Sequence, residues 1–155
     1  MLRYPVVAIG VIASLILSTA AAQEPASVAF DAALARSVGA DEYGMRNFVL
    51  VILKTGAKQV PAGKDRDEMF KGHFANMNRL AEAGKLVHAG PLDGVDSWRG
   101  LFIFAVTDID EAKALVASDP VIIKGEMVAE YHKHYGSASL MLINDAHKKI
   151  AKQSM

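Results

Sequence analysis

The chain contains no cysteine. Disulfides, iron–sulfur clusters, thiolate zinc sites and a cysteine nucleophile are therefore excluded. An excess of either charge is also missing, because 17 basic side chains meet 17 acidic ones. Balanced charge gives no electrostatic case for nucleic acid or for an anionic membrane surface. No glycine-rich phosphate loop, dinucleotide fingerprint or metalloprotease pattern occurs, and Ser137 and Ser139 stand in no nucleophile motif. No cofactor is called for. The 155 residues suffice for one domain.

The first 22 residues read as a signal peptide. Arg3 supplies a basic start, and Val6 to Leu17 is an apolar run of signal length, short for a membrane span. Ala20-Ala21-Ala22 offers small residues for cleavage, so the mature chain is expected to begin at Gln23. An uncleaved anchor is the alternative. No twin arginine precedes the run and no cysteine follows it, which points to Sec export of a protein that is not a lipoprotein. The expected location is periplasmic or extracellular, with no membrane contact after cleavage.

Residues 23–45 form a leader in which Phe30 to Val38 has length for two helical turns before Gly39 and Gly44. It reads as a docking helix or a poorly ordered arm. Arg46 to Lys54 is predicted as the first strand, apolar on both faces. Asp65 is taken as an N-cap with Glu68 completing a capping box. Phe70, Phe74, Met77, Leu80 and Ala81 then mark an apolar helical stripe that includes His73, and Gly84 ends the helix. Lys85 to Ala89 is a short strand closed by Gly90-Pro91, and Asp93-Gly94 makes a turn. Trp98 to Val106 is the third strand, again apolar on both faces. Asp108 caps a second helix, with Glu111 at the capping-box position and Ile109, Ala112, Leu115 and Val116 as its buried stripe. Asp119 before Pro120 ends that helix. Glu126 to Tyr135 is the fourth strand, and Ser139 to Ile143 a fifth short one. Residues 144–155 carry three lysines and read as a surface helix or a frayed end.

The core, residues 46–143, therefore has the order β-α-β-β-α-β, the ferredoxin-like α+β pattern with both helices on one sheet face. The other face needs a cover, and the sheet of an identical subunit supplies one. A homodimer is the expected assembly.

Particular residues resemble those of the YCII-related (YciI-like) family. They are Gly72-His73-Phe74, Glu82-Ala83-Gly84-Lys85-Leu86, Gly90-Pro91-Leu92, Gly100, Glu111-Ala112 and Ser118-Asp119-Pro120, in order across residues 46 to 136. The resemblance implies a ferredoxin-like fold that dimerises into an α+β barrel. It also implies a site built on a histidine and an aspartate, here His73 and Asp119. One branch of the family is associated with dehydrochlorination of a chlorinated hydroxyhydroquinone. Two departures stand out. Phe70 occupies the position, three before the histidine, where many members have arginine. Familiar members also look cytoplasmic, whereas this chain carries an export signal.

His73 and Asp119 make chemical sense together. A carboxylate that accepts one imidazole N–H fixes the tautomer and leaves the other nitrogen as a base near neutral pH. The expected geometry is an imidazole nitrogen within about 3.2 Å of an Asp119 oxygen, with the ring's other nitrogen facing a small pocket near Gly90-Pro91. A packed histidine on an apolar stripe is the competing reading. His132 and His134 share a strand face and could chelate zinc or copper with His88 or Glu130, but a half-exposed strand face is the commoner explanation and no metal is expected. His147 lies in the tail as a solvated residue. Tyr131 and Tyr135 are placed on the face that meets the partner sheet or lines a cavity, and Trp98 and Arg99 beside the Gly90-Pro91 loop. The functional expectation is an exported small-molecule enzyme, lyase-type, with His73 as general acid or base and Asp119 orienting it. The alternative is a non-catalytic small-ligand-binding or structural dimer.

Overall fold

The computed structural model describes residues 28–153. The signal peptide read over residues 1–22, and the leader as far as residue 27, lie outside the described residues. Among those described, no helix is long and apolar enough to cross a membrane. From Asp31 onward the chain forms one compact unit.

Its strands are β1 (Met45–Thr55), β2 (Leu86–Pro91), β3 (Trp98–Phe104) and β4 (Met127–Ser137). They form one sheet in the order β2-β3-β1-β4, with every neighbouring pair antiparallel. The helices are α1 (Ala32–Ser37), α2 (Lys64–Glu82), α3 (Ile109–Val116), α4 (Pro120–Ile123) and α5 (Ile143–Ile150). The connectivity is the ferredoxin-like α+β arrangement read from the sequence.

The main core lies on one face of the sheet. Val49, Val51, Leu53, Phe102 and Phe104 pack there against Met69 and Leu80 of α2, Ala112 and Val116 of α3, and Val121 of α4. Strand side chains alternate, so Phe48, Leu50, Ile52, Leu101 and Ile103 point to the opposite face. Phe48 and Ile52 are nevertheless buried, while Leu50, Leu101 and Ile103 are half-buried. The Arg46 guanidinium over the Phe48 ring, 5.2 Å from its centroid, and the His134 ring help to cover Phe48.

Local structure departs from the sequence reading at several points. Helix α2 starts at Lys64 with Gly63 as N-cap, so Asp65 lies inside its first turn and caps nothing. Glu68 faces Lys64 at 3.8 Å instead of closing a capping box. Tertiary contacts draw the start forward, since the Arg66 side chain is anchored to the preceding loop at Val60 O. The buried stripe of α2 is Met69, His73, Asn76 and Leu80, and Phe74 lies 44% exposed. The helix stops as expected at Gly84. Its φ of +69° carries a Schellman closure, with Lys85 N donating to Leu80 O and Gly84 N to Ala81 O.

Asp108 caps α3 by accepting from Asp110 N at 2.8 Å. Glu111 does not complete a box and instead reaches Lys85 Nζ at 2.8 Å. The expected fifth strand over Ser139 to Ile143 is absent. Residues Ala138–Leu142 form a 3-10 turn whose start is fixed by Ser137 Oγ accepting from Ser139 N, and it leads directly into α5. Asn144 then docks α5 on the edge strand by donating to Leu86 O. Tyr131 and Tyr135 share a face, but it is the helix-covered face. Tyr131 stands opposite Val51 and packs on the main core.

Candidate active site

His73 and Asp119 come together beneath the helices. His73 projects from the buried stripe of α2, where Phe102 of β3 stacks on its ring at 6.0 Å between centroids. Phe70 meets the imidazole edge-on at 6.2 Å, and Phe74 lies 5.5 Å away. Asp119 occupies the junction between α3 and α4. Pro120 at the first helical position favours a new helix start. Asp119 caps it, with Oδ1 accepting from Val121 N at 3.1 Å.

The same carboxylate receives the imidazole. Nδ1 of His73 lies 2.9 Å from Oδ1 and 2.8 Å from Oδ2, so the ring sits astride both oxygens. Asp119 is 1% exposed. Asn76, one turn beyond His73 on α2, adds a donor from Nδ2 to Oδ2 at 3.4 Å. The Asn76 oxygen accepts from Arg79 Nη2 at 2.7 Å and from Ser118 Oγ at 3.2 Å, which fixes its amide with nitrogen towards the aspartate. Hydrophobic periodicity does not reveal this arm, because Asn76 is polar. Its spacing of three from His73 is the signal that places it on the same helix face.

The other imidazole nitrogen is free. Nε2 makes no hydrogen bond to the described residues. It is not sealed either, because Glu126 Oε1 is the one buried side-chain polar atom among the described residues that lacks a hydrogen bond. The His73 side chain is 10% exposed, and Nε2 shares in that access. An open recess of about 620 Å³ lies elsewhere, between Met77 and Ala81 of α2, Val87 and His88 of β2, and His147 and Lys148 of α5.

The spacing of the dyad has a steric basis. Gly72 sits directly against Pro120, and a Cβ at Gly72 would lie 2.9 Å from Pro120 Cγ. His73 follows Gly72 in the chain, and Asp119 precedes Pro120.

A second buried carboxylate, Glu126, has no counterpart in the sequence reading. It is 0% exposed, with its polar contacts going to Val60 of the 56–60 loop and to two arginines. Oε2 accepts from Val60 N at 2.8 Å. Oε1 lies 2.8 Å from Arg66 Nη2, off the N–H direction, and 3.8 Å from Arg99 Nη1. Burial pushes this carboxyl up, but the Val60 N–H and the Arg66 and Arg99 guanidinium groups together hold it below the ordinary glutamate value of 4.5.

The remaining candidates disperse. His132 Nε2 contacts Glu130 Oε1 at 2.8 Å, and Glu130 also reaches Lys54 at 3.4 Å. His134 packs near Phe48 instead. Among the described residues no three of His, Asp and Glu converge as metal ligands. The exposed Tyr135 donates to Asp41, and that bond raises the phenol's pKa and lowers the carboxyl's. Trp98 is exposed at the start of β3.

Comparison with known proteins follows this geometry. A search of curated proteins finds no match. Among solved structures the chain is similar to 5-chloro-2-hydroxyhydroquinone dehydrochlorinase from Burkholderia phenoliruptrix AC1100, in complex with 2,5-dihydroxybenzoquinone. The identity is 22%, the TM-score 0.39, and the match covers 56% of this chain and 94% of the other. That likeness is too loose to carry an argument about chemistry. The YCII-related domain matches residues 47–132, which takes in most of the sheet, α2 and both members of the dyad. The chain belongs to the YCII-related domain family.

Proposed function

We propose that this protein is a small-molecule enzyme in which His73 is the general acid or base and Asp119 orients it. The observation that carries the reading is the asymmetry of the imidazole. Nδ1 is held by the carboxylate at 2.8 Å, and Nε2 has no hydrogen-bond partner among the described residues. A carboxylate on Nδ1–H selects the tautomer with the lone pair on Nε2, which is what proton abstraction requires. Three aromatic rings around the imidazole suit a flat, largely apolar substrate. In a lyase-type step Nε2 takes a proton from one carbon. The electron pair of the broken C–H bond forms a double bond and expels the leaving group from the next carbon.

A screen of small-molecule substrates on the exported protein, including chlorinated hydroxyquinols, tests this. His73→Gln should reduce turnover about 10²–10⁴-fold, the usual share of a positioned acid or base. Turnover unchanged by His73→Gln would remove the reading.

The second reading is a non-catalytic dimer that holds a small ligand. It is favoured by the enclosure of His73 and by the open recess lying elsewhere, at α5. Both readings place the protein outside the cytoplasm after cleavage before Gln23, which N-terminal sequencing of the secreted product tests. Both also place a second copy over Leu50, Leu101 and Ile103. Light scattering should then give twice the chain mass, and a stable monomer at micromolar concentration removes the dimer.

A further inference from the structure

We propose that Arg99 and Arg66 form an oxyanion-recognition site, which holds the carboxylate of a small organic substrate beside His73. The inference rests on the proposed acid/base role of His73 and names the substrate class of that site.

The charges around Glu126 do not cancel. Two guanidinium groups face one buried carboxylate that is held ionised, so one positive charge is left over. Anchoring the 56–60 loop accounts for only one of the arginines. Val60 N and Arg66 Nη2 each lie 2.8 Å from the carboxylate, and Arg66 Nη1 also donates to Val60 O at 2.8 Å. The Arg99 guanidinium stays 3.8 Å from Oε1 and makes no side-chain hydrogen bond among the described residues.

Local backbone geometry delivers Arg99 to this place. Strand β3 pairs Gly100 with Leu53 and Trp98 with Lys54, so Arg99 is the extra residue of a β-bulge. Bulges re-aim a side chain, and here one turns a guanidinium towards Glu126. The Arg66 and Arg99 side chains are 26% and 28% exposed. Their unused N–H groups therefore reach solvent from a partly desolvated position. A planar guanidinium matches a carboxylate in two parallel hydrogen bonds, and such bonds are stronger where water is partly excluded. The charge of Glu126 lets the two cations stand together while no ligand is bound.

Phe70 links this pair to the dyad. The Arg66 guanidinium lies over its ring at 5.0 Å, and the ring makes a T-shaped contact with His73 at 6.2 Å. A substrate body lying along Phe70 would place its carboxylate at the arginines and a carbon near Nε2.

The probes are benzoate, benzyl alcohol and inorganic phosphate, titrated into the isotope-labelled protein while the arginine Nε–H and His73 ring signals are followed. Benzoate should shift Arg99, Arg66 and His73 together. Benzyl alcohol, lacking the charge, and phosphate, lacking the ring, should each bind about tenfold more weakly or worse. Arg99→Ala should weaken benzoate by about tenfold, and Arg99→Lys should restore only part of that because it keeps the charge without the fork. Equal affinity for benzoate and benzyl alcohol, or benzoate binding unmoved by Arg99→Ala, would overturn the site. Phosphate binding as tightly as benzoate, or arginine shifts without His73 shifts, would reduce it to an adventitious ion only and overturn the substrate assignment. His73→Gln separates the two ideas. If turnover falls with His73 while benzoate ignores Arg99, this inference fails alone. If benzoate needs Arg99 and no substrate turns over, the acid/base reading fails alone.

Discussion

Asp119 and Glu126 stand at the two ends of α4, both shut off from water, and they are provided for in opposite ways. Asp119 receives a histidine, a backbone N–H and an amide, all as hydrogen bonds. Its one ionisable partner can gain or lose a proton. Glu126 receives two guanidinium groups that never titrate, and one of its oxygens lacks an aligned donor. The first arrangement suits proton exchange and the second a fixed charge.

Exchanging each carboxylate for its amide breaks this comparison most sharply. Asp119→Asn keeps an oxygen able to cap α4, but its amide nitrogen would face donors that Asp119 now accepts, so stability should fall by about 1–3 kcal/mol. The imidazole loses its acceptor charge, and turnover should fall about 10²–10⁴-fold. Steady-state kinetics beside a urea melt reads both.

Glu126→Gln should act on stability and leave the dyad intact. Removing one member of a buried ion pair costs about 3–5 kcal/mol, and the partial exposure of both arginines lowers the expectation here to about 2 kcal/mol. The dyad is untouched, so kcat per folded molecule should change little, while KM should shift because Glu126 holds together the two arginines of the proposed carboxylate site. A Glu126→Gln protein as stable as the parent would show that the charge is not structural.

The pH dependence sharpens the contrast. The folded pKa of Glu126 lies below its ordinary value of 4.5. Its contribution is therefore fully present above that value and is lost as pH falls through the folded pKa. Urea midpoints of parent and Glu126→Gln should differ at pH 7 and converge in acid. A gap that is constant down to pH 3 would contradict the linkage.

The smallest expected effect lies behind Asp119. Ser118→Ala removes one of two donors to the Asn76 oxygen and leaves Arg79 in place. The cost should be about 0.5–1 kcal/mol, with turnover reduced a few-fold. A larger loss than that of Asp119→Asn would mean that the arm does more than hold the aspartate.

Much of the fold was legible because it follows from period and punctuation. Doubly apolar strands, Gly84, Asp108 and Asp119-Pro120 mark the elements where they occur. Convergence of His73 and Asp119 followed from two helices sharing one sheet face, once family resemblance had singled out the pair. The rest depends on contacts between residues remote in sequence. Hydrophobic periodicity has no place for Asn76, a polar residue that earns burial through Arg79 and Ser118. Glu126 reads as an ordinary strand start until Arg66 and Arg99 are brought to it. Tyr131 was set on the wrong face because alternation tells which residues share a side and not which side the helices cover. The bulge at Arg99 leaves no mark in composition.

The contact between Gly72 and Pro120 gives the dyad an adjustable ruler. His73 and Asp119 are the chain neighbours of the two touching residues, so one missing carbon sets how closely imidazole and carboxylate can approach. Alanine at position 72 would have to move the proline ring or part the two helices, at a cost of about 1–3 kcal/mol. Any parting lengthens the hydrogen bond while leaving both of its chemical groups intact. The separation between base and orienter can thus be tuned from outside the polar site, by the size of a side chain that takes no part in the chemistry.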